Sequence, residues 1–399
     1  MKKFFILALA LTFVAGFAYA EDAKYSLSGQ YRWEMYQFNN QGYVDEDENK
    51  EEYFDQRFRL QMDFMPADGV KAVLRGDYAE DAWGEIGYRP NPGHDTIMID
   101  KAYVDLTKSM FNIKAGLRGF GGFGNAMSTD YQGTNVEVSG NFEPVTVKAM
   151  WVKLDEGTAK YDLEDGDPSE DTDLMGAEVI FGAEAFSVGG FYATWQNKAA
   201  EDTRNVVGVH GKTSIGKIGI WGEVDMYSGK DDANDIDYTG TNVAVNAEMG
   251  INEQLTVGLD VFYAMGNDED DEDQLSTLLD DWGYVPLDHG PFKWIQTTDI
   301  NVHEIEDDAG SQGFNVYGTF MAMEELAIFA NVGWVAPQTE DPEDDDVYVE
   351  NYTVFAVGAS YTFLPGTSFN LKYDNISRSG EEIDDDARTR IMGMLKVNF

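Results

Sequence analysis

Residues 54–64 read FDQRFRLQMDF and place two kinds of side chain in strict alternation. One set of alternate positions is apolar apart from a single glutamine: Phe54, Gln56, Phe58, Leu60, Met62 and Phe64. The other set is polar or charged: Asp55, Arg57, Arg59, Gln61 and Asp63. Because successive side chains of a β-strand point to opposite faces, the stretch predicts a strand with one apolar and one ionic face.

A short connection, MPADG, follows this strand, and residues 70–78 return as VKAVLRGDY. Val70, Ala72 and Leu74 alternate there with charged side chains, so the two segments form a predicted hairpin. A soluble sandwich with the apolar face in its core fits one such hairpin as well as a barrel in lipid does. The choice between them needs the whole chain.

The whole chain repeats the amphipathic pattern, and its connections alternate between short and long. The predicted long connections include residues 197–203 and 231–237. We predict eighteen strands, with sixteen as the alternative count. They span residues 25–38, 54–64, 70–80, 96–106, 111–118, 133–140, 145–153, 174–182, 187–196, 204–214, 218–228, 239–250, 255–265, 313–322, 326–335, 350–363, 368–378 and 387–399. An even number of strands, with short turns at one end and long acidic loops at the other, is typical of a closed antiparallel transmembrane β-barrel.

The first twenty residues, MKKFFILALALTFVAGFAYA, predict a secretory signal peptide. Two lysines precede an apolar run, and Ala18-Tyr19-Ala20 forms a small-x-small cleavage site. We therefore expect residues 1–20 to be cleaved and residues 21–399 to form a single barrel domain. The chain has no cysteine, so disulfides and thiolate metal sites are excluded.

The charge balance excludes further classes of protein. Seventy-three acidic residues against twenty-eight basic ones give a net charge of −45, which argues against nucleic acid as a partner. An enzyme is not expected either. None of the four histidines, His94, His210, His289 and His303, stands in the sequence context of a convergent base, nucleophile and orienting group.

The last ten residues, 390–399, read RIMGMLKVNF. Ile391, Leu395 and Val397 would face lipid, and the final strand must pair with the first, because an open sheet edge in hydrocarbon leaves backbone groups unpaired. An exported chain ending on such a strand and on Phe399 resembles the bacterial outer-membrane porins. The resemblance implies an outer-membrane location among lipid and lipopolysaccharide, a homotrimer, and Phe399 as a signal to the barrel-assembly machinery.

The side chains predicted to face the interior are distributed unevenly in charge, with basic residues on one side and acidic residues on the other. The predicted basic wall, on strands one to five and eighteen, comprises Arg32, Arg57, Arg59, Lys71, Arg75, Lys101, Lys114, Arg118, Arg388 and Arg390. The predicted acidic wall across the bore comprises Glu178, Glu223, Asp225, Glu248 and Asp260. One hypothesis is a transverse field in the pore. The alternative is local pairing, such as Arg57 with Asp55 or Arg75 with Asp77.

The third long connection, RGFGGFGNAMSTDYQG at residues 118–133, is rich in glycine and carries one acid. It resembles the porin loop that folds into the barrel and narrows the channel. This resemblance makes Phe120, Phe123, Asn125 and Asp130 the candidate constriction residues, with a flexible surface loop as the alternative.

The remaining long connections are acidic, as in DEDENKEE and DEDDED. Their carboxylates suit Ca²⁺ or Mg²⁺, but none has the ligand spacing of an EF-hand loop. No cofactor is expected, and cation binding by these loops is an alternative to simple solvation.

The sequence therefore predicts an outer-membrane porin for passive diffusion of small hydrophilic solutes and ions. Two alternatives remain open: a substrate-specific channel for a sugar or an acidic polysaccharide such as alginate, and an acidic surface scaffold or adhesin.

Overall fold

The computed structural model describes residues 24–39, 50–83, 97–119, 123–124, 132–156, 171–233, 235–265, 311–336, 348–381 and 387–399. Within these ranges the chain forms eighteen β-strands, so the predicted fold and strand count are confirmed. They are β1 (Lys24–Asn39), β2 (Lys50–Ala67), β3 (Val70–Trp83), β4 (Ile97–Lys108), β5 (Phe111–Gly119), β6 (Gln132–Phe142), β7 (Val145–Glu156), β8 (Asp171–Gly182), β9 (Phe186–Asn197), β10 (Asp202–Ile215), β11 (Ile218–Asp231), β12 (Ile236–Gly250), β13 (Leu255–Ala264), β14 (Ser311–Met323), β15 (Leu326–Ala336), β16 (Tyr348–Leu364), β17 (Thr367–Glu381) and β18 (Arg388–Asn398). The predicted signal peptide lies outside the described residues.

The strands form one closed antiparallel sheet. Each strand pairs with its neighbours in sequence, and β1 pairs with both β2 and β18. At the seam the Gly29 amide donates to the carbonyl oxygen of Phe399 over 2.8 Å, and the Phe399 amide donates to Gly29 over 3.0 Å. The Phe399 ring stacks on Phe58 at 6.0 Å and crosses over Gly29, where a β-carbon would overlap it. Closure pairs the backbone groups that an open edge would leave exposed.

Two connections predicted to be long are tight turns. The predicted loops at residues 197–203 and 231–237 were wrong, because β10 begins at Asp202 and β12 at Ile236. The Asn197 side chain accepts hydrogen bonds from the amides of Ala199 and Ala200, and Asp231 accepts one from Ala233 over 2.9 Å. Asn and Asp side chains stabilise tight turns by accepting hydrogen bonds from backbone amides two or three residues later. The polar residues at these two connections therefore form turns and not long loops.

The two faces of the sheet differ as the alternation predicts. On β10 and β11 the outward side chains Val207, Val209 and Val224 are exposed, whereas the inward Glu223 and Asp225 are buried. The apolar side chains thus cover the outside of the barrel, and the polar ones line its interior. An exterior of this kind is stable only against hydrocarbon. Across the described ranges we find no helix long and apolar enough to span a bilayer.

Exposure on the inner face changes along the barrel axis. Near the short turns inner side chains such as Lys212 and Glu248 are exposed. Farther along the same strands, towards the opposite end of the barrel, Val206 and Asn242 are fully buried. The interior is therefore more open at the end of the short turns.

Candidate functional site

The predicted basic residues share the inner face of β1–β5 and β18. Directly opposed residues on neighbouring strands lie on the same face. The register opposes Arg32 to Arg57, Arg59 to Asp77, and Arg75 to Lys101. The inner positions also hold Lys71, Lys114, Arg118 and Arg390. The Arg388 side chain lies outside the described part of the chain.

Most of these bases contact carboxylates on the same or a neighbouring strand: Arg32, Arg59, Lys71, Arg75, Lys114, Arg118 and Arg390. Arg59 forms a two-pronged contact with Asp77, with both distances at 2.5 Å, and its Nη2 lies 3.4 Å from Asp100 Oδ2. Arg75 contacts Asp100 rather than the predicted Asp77. The reason is a register shift on β3 and β4 between Arg75 and Gly76, which adds Asp100 to this cluster.

The same pairing extends along the wall. Glu137 binds Arg118 at 2.8 Å and Lys114 at 3.5 Å. Arg32 binds Glu34 at 2.9 Å. On β17 and β18, Arg390 donates hydrogen bonds from Nε and Nη2 to Asp374, and both residues are buried. This inner face therefore carries acidic side chains paired with the basic ones, and not bases alone.

The carboxylates of β12 and β13 meet neutral donors. Asp260 accepts hydrogen bonds from the Asn246 and Asn315 amides over 2.6 and 3.3 Å. Glu248, near the short-turn end, accepts one from the Tyr317 hydroxyl over 3.4 Å. Neutral donors satisfy the oxygens but do not cancel the charge. This side of the interior is therefore acidic.

The connection between β5 and β6 enters the barrel at its two described residues. Phe123 is fully buried, stacks on Phe191 of β9 at 6.1 Å, and lies under the Lys148 ammonium at 4.8 Å. Gly124 reaches Glu223 of β11, six strands from β5 around the sheet. The other candidate constriction residues, Phe120, Asn125 and Asp130, lie outside the described residues.

Phe123 belongs to an apolar cluster on the inner wall that we did not predict from the sequence. Its other members are Met150, Val152, Leu174, Phe191, Ala193, Trp195, Val206 and Tyr227. Trp195 also carries the Arg204 guanidinium over its ring at 4.9 Å. The signal was present, because parts of β7 and β9 are apolar at consecutive positions, which indicates burial on both faces.

Glu178 contacts this inward segment directly. Its Oε1 accepts a hydrogen bond from the Gly124 amide over 3.0 Å and lies 2.9 Å from His210 Nε2. Its Oε2 lies 2.7 Å from Lys148 Nζ. The side chain is buried, so Glu178 lies behind the segment rather than open to the bore.

The predicted cation-binding loops fall mostly outside the described residues, and that prediction stays a prediction. Over the ranges described above, no group of three or more His, Asp or Glu side chains is arranged to hold a metal ion.

A family model described as Gram-negative porin matches residues 7–280. The match spans more than half of the chain, so the chain belongs to this family of outer-membrane β-barrel proteins. Among proteins with curated descriptions, none matches the sequence.

Solved structures with the same fold include channels from two bacteria. OccK9 (OpdG) of Pseudomonas aeruginosa has a TM-score of 0.60 and 14% identity, covering 96% of this chain and 100% of that one. OccK11 (OpdR) of the same organism has a TM-score of 0.58 and 11% identity, with coverages of 95% and 97%. The outer membrane channel DcaP of Acinetobacter baumannii has a TM-score of 0.50 and 14% identity, with coverages of 94% and 97%. At these identities the likeness is one of fold.

Family and fold together make the protein a multi-pass β-barrel of the Gram-negative outer membrane. A porin family indicates a channel rather than an enzyme.

Proposed function

We propose that the protein is a passive diffusion channel for small hydrophilic solutes and ions. One observation carries the proposal: the sheet is closed, apolar outside and charged inside. A barrel of this strand number encloses a water-filled path unless other parts of the chain fill it. Solutes would move along it down their own gradients.

The inward segment Phe123-Gly124 is the proposed narrowing of this path. It leaves β5 and contacts β7, β8, β9 and β11, so it crosses part of the interior. The constriction role of Phe120, Asn125 and Asp130 remains part of the same proposal.

Two walls of different charge would then flank the path. The paired bases on β1–β5 and β18 carry little net charge, whereas Glu248 and Asp260 keep theirs. The pore would favour small cations over anions, and the acidic connections would add to that preference. The transverse field would be weaker than the sequence suggested.

The test is conductance of the mature protein in planar lipid bilayers. We expect stepwise current that is linear in voltage and unaffected by added sugars. Reversal potentials across a salt gradient should favour the cation. A protein that inserts but carries no current would overturn the proposal in favour of a surface scaffold or adhesin.

A substrate-specific channel is the second candidate, and the buried inner wall favours it. Val206, Asn242 and Tyr352 are fully buried although they face the interior, so the path on that side is tight. Saturable block of the current by one sugar or acidic polysaccharide, alginate included, would support this candidate. The pairing of the bases weakens the case for a polyanion. Trimer formation, lipopolysaccharide contacts and recognition by the assembly machinery stay predictions.

A further inference from the structure

We propose that Glu178 is the residue that positions Phe123-Gly124 against the barrel wall, and that this attachment sets the width of the pore. The inference rests on the proposed channel function. It gives Glu178 a different role from the one expected of it, which was to act on passing ions from an acidic wall.

The first step is the use of the Glu178 oxygens. Oε1 accepts a hydrogen bond from the Gly124 amide and contacts His210 Nε2, and Oε2 pairs with the Lys148 ammonium. A carboxylate that attracts permeant ions must face water. Glu178 is instead buried, with both oxygens engaged by the chain itself. Its hydrogen bond to the Gly124 amide therefore acts on the inward segment.

The second step concerns the residues against which the Phe123 ring packs. The ring lies against Gly176, two residues before Glu178 on the same face of β8, and a β-carbon at that position would overlap it. Phe191 stacks on the ring, and the Lys148 ammonium that binds Glu178 also lies over it. A cation over an aromatic face is attracted to it, so Lys148 links the carboxylate to the ring.

The third step is the backbone of Gly124. Its φ of +71° is favourable for glycine and strained for other residues. A β-carbon there would also lie 2.5 Å from Glu223 Oε1. Glycine thus brings the amide within reach of Glu178 while the other side of the residue touches β11. The segment is held between β8 and β11 at one point.

These contacts join parts of the chain that are far apart in sequence. The Gly124 amide and the Glu178 carboxylate are separated by 54 residues. Gly124 follows Gly119, the last residue of β5, after a single short stretch of chain. A hydrogen bond this close to the strand end, together with the packing of the Phe123 ring, fixes the start of the connection.

The test compares Glu178→Ala with Glu178→Gln in single-channel recordings. Both variants remove one negative charge, but the glutamine oxygen can still accept the Gly124 hydrogen bond. We expect a larger single-channel conductance for Glu178→Ala and a conductance close to wild type for Glu178→Gln. The reversal potential should stay close to the wild-type value in both variants, because the buried carboxylate does not face the permeating ions.

Glu253→Ala is the matched control. It also removes one carboxylate, but Glu253 is exposed in the short turn between β12 and β13, outside the wall that flanks the path. Its conductance should stay at the wild-type level. Phe123→Ala provides a second route, because loss of the ring should enlarge the conductance without touching any charge.

Equal conductance for wild type, Glu178→Ala and Phe123→Ala, in barrels that fold normally, would overturn the positioning role and leave the channel function standing. If Glu178→Gln rose as much as Glu178→Ala, charge rather than the hydrogen bond would be the cause, and the proposal would also fail. Absence of current in the wild-type protein would instead defeat the channel function itself.

Discussion

At the scale of the residue, buried ion pairs distinguish this interior from a simple polar lining. Asp374 is surrounded by two cations, with Arg390 Nη2 at 2.8 Å and Lys372 Nζ at 3.1 Å, and all three side chains are buried. A buried pair offsets the loss of hydration only while both partners are present. The stability of the β17–β18 region therefore depends on single side chains.

We predict that Asp374→Asn destabilises the barrel by on the order of 3–5 kcal/mol, because it removes the negative charge that both buried cations contact. The measurement is denaturant unfolding in lipid vesicles, monitored by tryptophan fluorescence. Asp232→Ala is the matched control, since its pair with Lys230 is exposed and its loss should leave the unfolding midpoint unchanged. Equal midpoints for wild type and Asp374→Asn would show that the Asp374 cluster does not stabilise the fold.

At the scale of the element, neighbouring strands share their charges. β2, β3 and β4 contribute Arg59, Asp77, Arg75 and Asp100 to a single cluster. Alternation predicts which face each base occupies, because successive side chains of a strand point to opposite faces. It did not give the partners, because a register shift between β3 and β4 changes which residues meet.

We predict that replacing Arg57, Arg59 and Arg75 together with glutamine shifts ion selectivity towards cations. The wall then loses three positive charges while Asp77 and Asp100 remain, so its net charge becomes more negative. Reversal potentials across a salt gradient measure the shift. Arg59→Gln combined with Asp77→Asn removes one charge of each sign and should shift selectivity far less. Unchanged reversal potentials in the triple variant would mean that this wall does not face the permeating ions.

At the scale of the whole molecule, the solvent outside the barrel decides its stability. Exposed outward side chains are apolar along the strands, as with Val224 in the middle of β11 and Val209 on β10. In water this surface would drive aggregation, whereas in a bilayer it lowers the free energy of insertion. The same substitution should therefore have different costs in lipid and in a water-soluble protein.

We predict that Val224→Arg destabilises the barrel in lipid vesicles by roughly 2–4 kcal/mol, the cost of a basic side chain near the bilayer midplane. Ile215→Arg, at the short-turn end of β10, is the control and should cost roughly 0–1 kcal/mol near the interface. Denaturant titration in vesicles of fixed composition gives both values. A negligible cost at position 224 would contradict burial of this face in hydrocarbon.

Much of the fold could be predicted from the chain alone. Alternation with period two fixed the two faces of segments such as residues 54–64, and the alternation of short and long connections gave eighteen strands. The misread connections at 197–203 and 231–237 show the limit, because Asn197 and Asp231 look like loop residues until their backbone bonds are seen. Strand ends also ran longer than predicted, since pairing extends beyond the apolar alternation.

The sequence by itself determined the class of protein, because which side chains face lipid depends only on local periodicity and the hydrocarbon solvent. Only the tertiary structure decided which charges neutralise one another, that Phe123 lies in an apolar cluster of the inner wall, and that Glu178 bonds Gly124. Those contacts join strands through registers, bulges and an inward connection. Their energies depend on distances between residues that are remote in the chain, and no local pattern encodes such distances.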